Sequence, residues 1–248
     1  MNQIHMAPLT PLVKKLIIVT AAIWIVVQII LDKFIGTHIS QWFILHPDKV
    51  INSFWMWQTV TYIFFHALSP FHIFFNGLML WFVGTELEKH WGTKFFAIYY
   101  FTCGIGAAIV YCIGVAAYAL ISGDHTPLVV PVMGASGALF GLLVAYGIIF
   151  SERVIYFMGF FPLKAKHFAL IAAALDLSSL LTSGFMGGEV AYLAHLGGAL
   201  VGFIFLWGHT RLKLRDTRTR VKKSGASLRL VVDNEKNDKK DSGPKYWN

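Results

Sequence analysis

The sequence predicts an all-α membrane protein: a bundle of six transmembrane helices followed by a disordered basic C-terminal tail. Three observations carry this. The 248 residues are 56% hydrophobic and 14% charged, with a mean hydropathy of +0.60, whereas soluble domains carry about 25% charged residues. Apolar runs long enough to be buried or spanning helices recur six times before Trp207. From Arg211 onward the composition turns to Lys, Arg, Asp, Asn, Gly and Ser, too polar to fold around a core. The division is therefore 1–210, a membrane domain, and 211–248, a cytoplasmic tail.

The first span is Leu16 to Leu31, extended toward ~20 residues by Leu12 and Val13 and closed by Asp32 and Lys33. No cleavable signal peptide is expected, because no Ala-x-Ala-like site follows this run. Residues 34 to 58 form a long connection with Trp42, Trp55 and Trp57. Tryptophan favours the headgroup level, which places this loop in the interface. The second span runs from about Pro70 to Leu87 and the third from about Phe95 to Leu120. Residues 122 to 127, Ser-Gly-Asp-His-Thr-Pro, make a turn. The fourth span runs from Ser136 to Phe150, and a connector with Arg153, Lys164 and Lys166 leads to the fifth, His167 to Leu181. A Gly-rich turn from Ser183 to Gly188 precedes the sixth, Val190 to Trp207. No internal repeat of the transporter kind is visible.

Six spans put both termini on one side. With that side cytoplasmic, the inner short segments hold Lys14, Lys15, Lys89, Lys94, Arg153, Lys164 and Lys166, and the outer ones only Lys33 and Lys49. The tail adds its own basic residues to the inner side, so the positive-inside rule orients the bundle. The basic start of the tail suits anionic lipid. It does not suit nucleic acid, since it follows a membrane helix directly and lacks interleaved aromatics. Cys103 and Cys112 fall on opposite faces of one helix. A disulfide between them is not expected, and no metal-ligand spacing or cofactor motif appears.

This topology puts the N-terminal ends of the second, fourth and sixth spans at the outer face. His72 and Asn76, one helical turn apart, lie near the start of the second. Ser136 opens the fourth and His195 lies early in the sixth. Polar groups at that depth are costly and face a bundle interior or a wet cavity. A serine and a histidine at matched depth are a candidate nucleophile and base. His72, Asn76 and the N–H at the start of the fourth helix are candidate donors to a developing oxyanion. Taken singly, each of these polar residues also has a packing role open to it. Gly137 and Gly141, and Gly198 and Gly202, form two Gly-x-x-x-Gly faces. If those faces meet, Ser136 and His195 come within hydrogen-bond reach.

Together these residues resemble the rhomboid family of intramembrane serine proteases. The motifs are His72-x-x-x-Asn76, Glu88-Lys89-x-x-Gly92, Gly134-x-Ser136-Gly137 and Ala194-His195-x-x-Gly198-x-x-x-Gly202, and the likeness covers about residues 10 to 210. The resemblance implies Ser136 as nucleophile, His195 as base, and His72 and Asn76 as transition-state donors. It implies Gly134 in the tight turn before the serine and no required third acid. It also implies single-span membrane proteins as substrates, cut near the outer end of their helix, in a water-filled cavity reached between the second and fifth helices. Phe140 stands where the family often has a tyrosine stacked on the imidazole. Gln58 stands after Trp57 where it often has arginine, which removes a loop-anchoring salt bridge. His66 matches a structural loop histidine, and Asp176 a recurrent polar position of the fifth span, where a role as a third triad member is open but not expected.

Three other functions compete. A catalytically inactive rhomboid-like client-binding protein would usually lack the serine or the histidine, and both are here. A proton-coupled transporter would line its path with acids, whereas Asp176 stands alone in the spanning interiors. A lipase would need a second glycine two residues after the serine, where Ala138 stands. The plain six-span plan points to a bacterial plasma membrane.

Overall fold

A computed structural model of the chain describes residues 8–157, 161–183 and 191–224. Helix α1 is Pro11–Ile35, its second half wound in wider π-type turns. Helix α2 runs without a break through Pro70–Met79, Leu80–Gly84 and Thr85–Trp91. Helix α3 is Thr93–Ser122, α4 Ser136–Ile149, α5 Ala165–Ser183 and α6 Ala191–Ser224. The chain divides into two compact units, Met1–Gly208 and His209–Asn248. Helix α6 carries on past Trp207, where the composition ends the last span, and residues 211–224 of the tail expected to be disordered are helical. The tail from 225 onward and most of the Ser183–Gly188 turn lie outside the described residues.

Among the described residues four helices, α1, α3, α5 and α6, contain stretches long and apolar enough to cross a bilayer. Helix α4 does not: its 14 residues reach about 21 Å, against a hydrocarbon core of about 30 Å. A short helix must begin or end inside the membrane, and Ser136 is the residue at which α4 begins.

Helix α3 is the centre of the packing. Its buried residues Phe96, Tyr99, Cys103, Ala107, Tyr111, Val115 and Ala119 recur every three or four positions, so one face is committed to the interior. It packs along α4, where the Tyr99 hydroxyl donates to the Gly141 carbonyl at 2.8 Å. Only its tyrosines mark that face in sequence, because α3 is apolar nearly all round.

Glu88 explains the Glu88-Lys89-x-x-Gly92 motif. Its carboxylate is 2% exposed and sits at the start of α1. It accepts from the Leu12 N–H at 3.1 Å, the Val13 N–H at 3.0 Å, the Thr10 hydroxyl, and the Thr93 hydroxyl at 2.7 Å. Those N–H groups have no partner within the helix, and the helix dipole favours a negative charge there. Burial alone would raise the carboxyl pKa, but the four hydrogen bonds outweigh it and hold Glu88 below the ordinary carboxylate range. Gly92, at φ +79°, makes the corner between α2 and α3, a conformation that costs other residues a steric penalty.

The connection between α1 and α2 is folded rather than loose. Trp55 stacks between Trp42 and Trp57, with ring centroids 5.0 and 5.2 Å away. The buried Gln58 side chain accepts from the His46 N–H at 2.9 Å and reaches the Gln41 and Trp42 carbonyls at 3.4 Å. The missing arginine therefore leaves no gap, because a neutral amide stitches the loop to itself. Leu45 and Val132 exchange backbone hydrogen bonds of 2.9 Å in both directions, tying this loop to the segment before Ser136.

The connector before α5 is not helical, which corrects the all-α expectation locally. Val154–Phe157 (β1) and Phe161–Lys164 (β2) pair as an antiparallel hairpin. The run Val154-Ile155-Tyr156-Phe157 is β-branched and aromatic, and so suits a strand. At its base Lys164 and Lys166 pair with Glu152 and hold that carboxyl at about 2. Cys103 and Cys112 are free and buried.

Candidate active site

The site is built where the N-terminal ends of α2, α4 and α6 converge. Gly198 of α6 lies so close to α4 that a side-chain carbon on it would collide with the Gly137 carbonyl. One on Gly202 would lie 3.0 Å from the Gly141 Cα. The two Gly-x-x-x-Gly faces therefore meet, backbone against backbone. The contact brings together the neighbouring side chains, Ser136 beside Gly137 and His195 one turn before Gly198: Ser136 Oγ lies 2.7 Å from His195 Nε2.

Each partner is held from more than one side. The ring of Phe140, one turn along α4, stacks on the His195 imidazole with centroids 4.5 Å apart and planes 9° from parallel. The missing tyrosine hydroxyl is thus irrelevant to the stacking. On the opposite edge His195 Nδ1 lies 2.6 Å from Asp176 Oδ2, contributed by α5. Sequence reasoning gave Asp176 no necessary place in the site. The available signal was the cost of a lone carboxylate in an apolar helix, which demands a partner at the same depth. Neither group is sealed: the side chains of His195 and Asp176 keep 16% and 14% of their surface accessible.

The turn before Ser136 is equally determined. Gly134 has φ +127°, which L side chains rarely adopt. Its N–H donates to the Tyr62 carbonyl at 3.0 Å. The next N–H, of Ala135, donates to His66 Nε2 at 3.4 Å. His66 is itself clamped by Gln28 of α1, whose amide exchanges hydrogen bonds of 2.9 and 2.7 Å with the His66 backbone. His66 thus braces the turn. Ser136, as first residue of α4, presents an N–H that the helix itself cannot satisfy.

His72 and Asn76 stand in different states. The Ala67 N–H donates to His72 Nδ1 at 3.3 Å, so the neutral ring carries its proton on Nε2. That Nε2 lies 3.2 Å, and Ser136 Oγ 3.6 Å, from where a Gly134 Cβ would be. His72 Nε2 thus lies against the serine's turn, where a side chain at position 134 would crowd it. Asn76 donates through Nδ2 to the His72 carbonyl at 2.8 Å, while its buried Oδ1 has no partner. One of its two N–H groups is thus committed to its own helix.

The sequence matches the family described as the Rhomboid domain over residues 53–211. The chain belongs to the rhomboid family. It is 30% identical to RHOMBOID-like protein 1 of Arabidopsis thaliana over 166 residues, 65% of this chain and 38% of that one. It is 27% identical to Rhomboid protein 1, mitochondrial, of Saccharomyces cerevisiae over 156 residues, 62% of this chain and 42% of that one. It is 29% identical to the rhomboid protease GluP of Bacillus subtilis over 148 residues, 59% of this chain and 25% of that one. The chain spans less than half the length of these relatives. This rhomboid is an integral membrane protein, and the match takes in every residue of the site from His66 to His195. Among the described residues no cluster of His, Cys, Asp or Glu could hold a metal ion.

Proposed function

We propose that this rhomboid is an intramembrane serine endopeptidase that cuts single-span membrane proteins near the outer end of their helix. The observation that carries the reading is the 2.7 Å approach of Ser136 Oγ to His195 Nε2 at the start of a helix too short to cross the bilayer. Ser136 Oγ attacks the scissile carbonyl carbon as its proton passes to His195 Nε2. The oxyanion formed accepts hydrogen bonds from the Ser136 N–H, from His72 Nε2–H and from Asn76, where one donor is worth about 2.7–4 kcal/mol. Collapse expels the amine, which takes the proton from His195. Water, deprotonated by the same imidazole, then releases the acyl group from Ser136.

In the bilayer α1 to α6 form six spans, α4 being too short to cross it fully and α2 long enough at Pro70–Trp91 but more polar than the four apolar spans. The basic short loops and the tail from residue 211 face the cytoplasmic side, and the tail meets anionic lipid there.

The test is labelling of the purified protein with a fluorophosphonate. The wild type is expected to be labelled, and Ser136→Ala and His195→Ala are not. Equal labelling of wild type and Ser136→Ala would return Ser136 to a packing role. The catalytically inactive alternative gains nothing from this site, which keeps both reacting side chains and their spacing.

A further inference from the structure

We propose that Asp176 is a positioning residue for His195, so that the site works as a three-residue relay spread over α4, α5 and α6. The inference rests on the reading of Ser136 as nucleophile and His195 as base. A neutral imidazole carries one N–H. To accept the Ser136 proton, His195 must have Nε2 bare and the hydrogen on Nδ1. The group 2.6 Å from Nδ1 is the Asp176 carboxylate, which as an anion can only accept. It therefore selects the productive tautomer.

Orientation follows from the same contacts. Phe140 fixes the plane of the imidazole by stacking, but a stacked ring still turns within its plane. Ser136 at 2.7 Å on Nε2 and Asp176 at 2.6 Å on Nδ1 fix that remaining rotation from opposite edges. When Ser136 attacks, its proton moves to Nε2 and the imidazole becomes a cation beside the carboxylate. Asp176 takes no proton: Nδ1–H stays on the ring, and Nε2–H goes on to the leaving amine. The attraction is strongest when the ring is charged, which is the condition for lowering a barrier rather than binding substrate. Asp176 also stands in a helix that has no other acidic residue and whose apolar stretch is only 6% buried within the protein. A carboxylate there is costly, and its contact with His195 gives it a partner.

A tether between α5 and α6 would use the same hydrogen bond without serving catalysis, and the experiment separates the two. Wild type, Asp176→Asn, Asp176→Ala, Asp176→Glu and Ser136→Ala are compared in liposomes on a single-span reporter. kcat, KM and thermal unfolding are measured for each, together with the 15N imidazole spectrum, with His195 assigned by difference from His195→Ala. The wild-type spectrum is expected to show the Nδ1–H tautomer of His195. Asp176→Asn and Asp176→Ala are expected to lower kcat by about 10- to 10⁴-fold, as loss of the third triad member does in soluble serine proteases. KM and the unfolding temperature should hardly move, and Asp176→Glu should recover part of kcat.

An Nε2–H tautomer in the wild type would overturn the proposal, even if every Asp176 variant failed to fold. So would undiminished kcat in Asp176→Asn and Asp176→Ala, or losses confined to KM and thermal stability. Undiminished cleavage by Ser136→Ala would instead remove the serine reading itself, a different failure with a different signature.

Discussion

The protein commits two nearly buried carboxylates, one near the end of α2 and one within α5, to opposite purposes. Glu88 lies just past the apolar stretch of α2 and takes hydrogen bonds from two backbone N–H groups and two threonine hydroxyls. None of those donors changes charge near neutral pH, so the interaction stabilises every state of the folded protein alike. Asp176 lies within α5 and meets an imidazole, whose charge changes during the proposed reaction. A group that interacts equally at every stage adds stability, whereas one whose interaction grows along the reaction adds rate. The two acids look alike in sequence and differ in whether their partner takes up a proton in the proposed reaction.

The largest disruption is expected where backbone meets backbone. Gly198→Leu would force α4 and α6 apart at Gly137, and no rotamer relieves a clash with a carbonyl. Loss of folded protein in detergent, or of all cleavage in any that folds, is the expected result; wild-type activity would show that the seam does not set the Ser136–His195 distance. Glu88→Ala comes next. It strips partners from the start of α1, where each buried unsatisfied group costs about 1–3 kcal/mol. The unfolding temperature should fall sharply while kcat per folded molecule stays near wild type, the reverse of the pattern for Asp176→Ala.

Acid titration sharpens the same contrast. The folded pKa of Glu88 lies below its ordinary value. Its contribution to stability is therefore complete above the ordinary carboxylate range and is lost as pH falls through the folded value. Thermal unfolding against pH should show a loss on the acid side that is smaller in Glu88→Gln. An unchanged acid limb would mean that other carboxylates govern it.

Much of the first unit was legible because polar residues in an apolar chain are conspicuous. His72, Ser136 and His195 each open a helix, and the paired Gly-x-x-x-Gly spacings state how close two helices can come. What stayed hidden depended on pairings remote in sequence. The backbone exchange between Leu45 and Val132 involves no side-chain chemistry, so no residue type announces it. Gln58 is a neutral amide and gives no sign of three loop contacts. The hairpin at residues 154–164 is too short to outweigh the surrounding helical pattern. Asp176 was visible, but its contact with His195 depends on how α5 is turned, and an apolar helix with no polar stripe leaves that rotation undetermined.

Two smaller effects probe the site without dismantling it. Asn76→Ala removes a group whose hydrogen bond in the resting protein is local, to the His72 carbonyl. If the amide turns to the oxyanion during the reaction, kcat should fall by about 10²–10³-fold with the unfolding temperature nearly unchanged. Lowered stability with full activity would make Asn76 purely structural.

The smallest effect is expected at Phe140. Its ring lies flat on His195 at 4.5 Å, and stacking of this kind is worth about 0.5–1.5 kcal/mol beyond the area it buries. Phe140→Tyr keeps the face and adds only a hydroxyl, so cleavage should stay within about twofold. Phe140→Leu keeps most of the bulk and loses the flat face, so the imidazole gains freedom to tilt out of plane while Ser136 and Asp176 still hold its edges. A loss of about 3- to 10-fold in kcat follows from the stacking energy, since 1.4 kcal/mol is a factor of ten. Combining Phe140→Leu with Asp176→Asn measures whether the two restraints act together. If plane and edge restraints hold one ring, the double variant should lose less than the product of the two single losses, because a ring already free to turn is worth less to flatten. Strict multiplication would mean that Phe140 and Asp176 act on different steps.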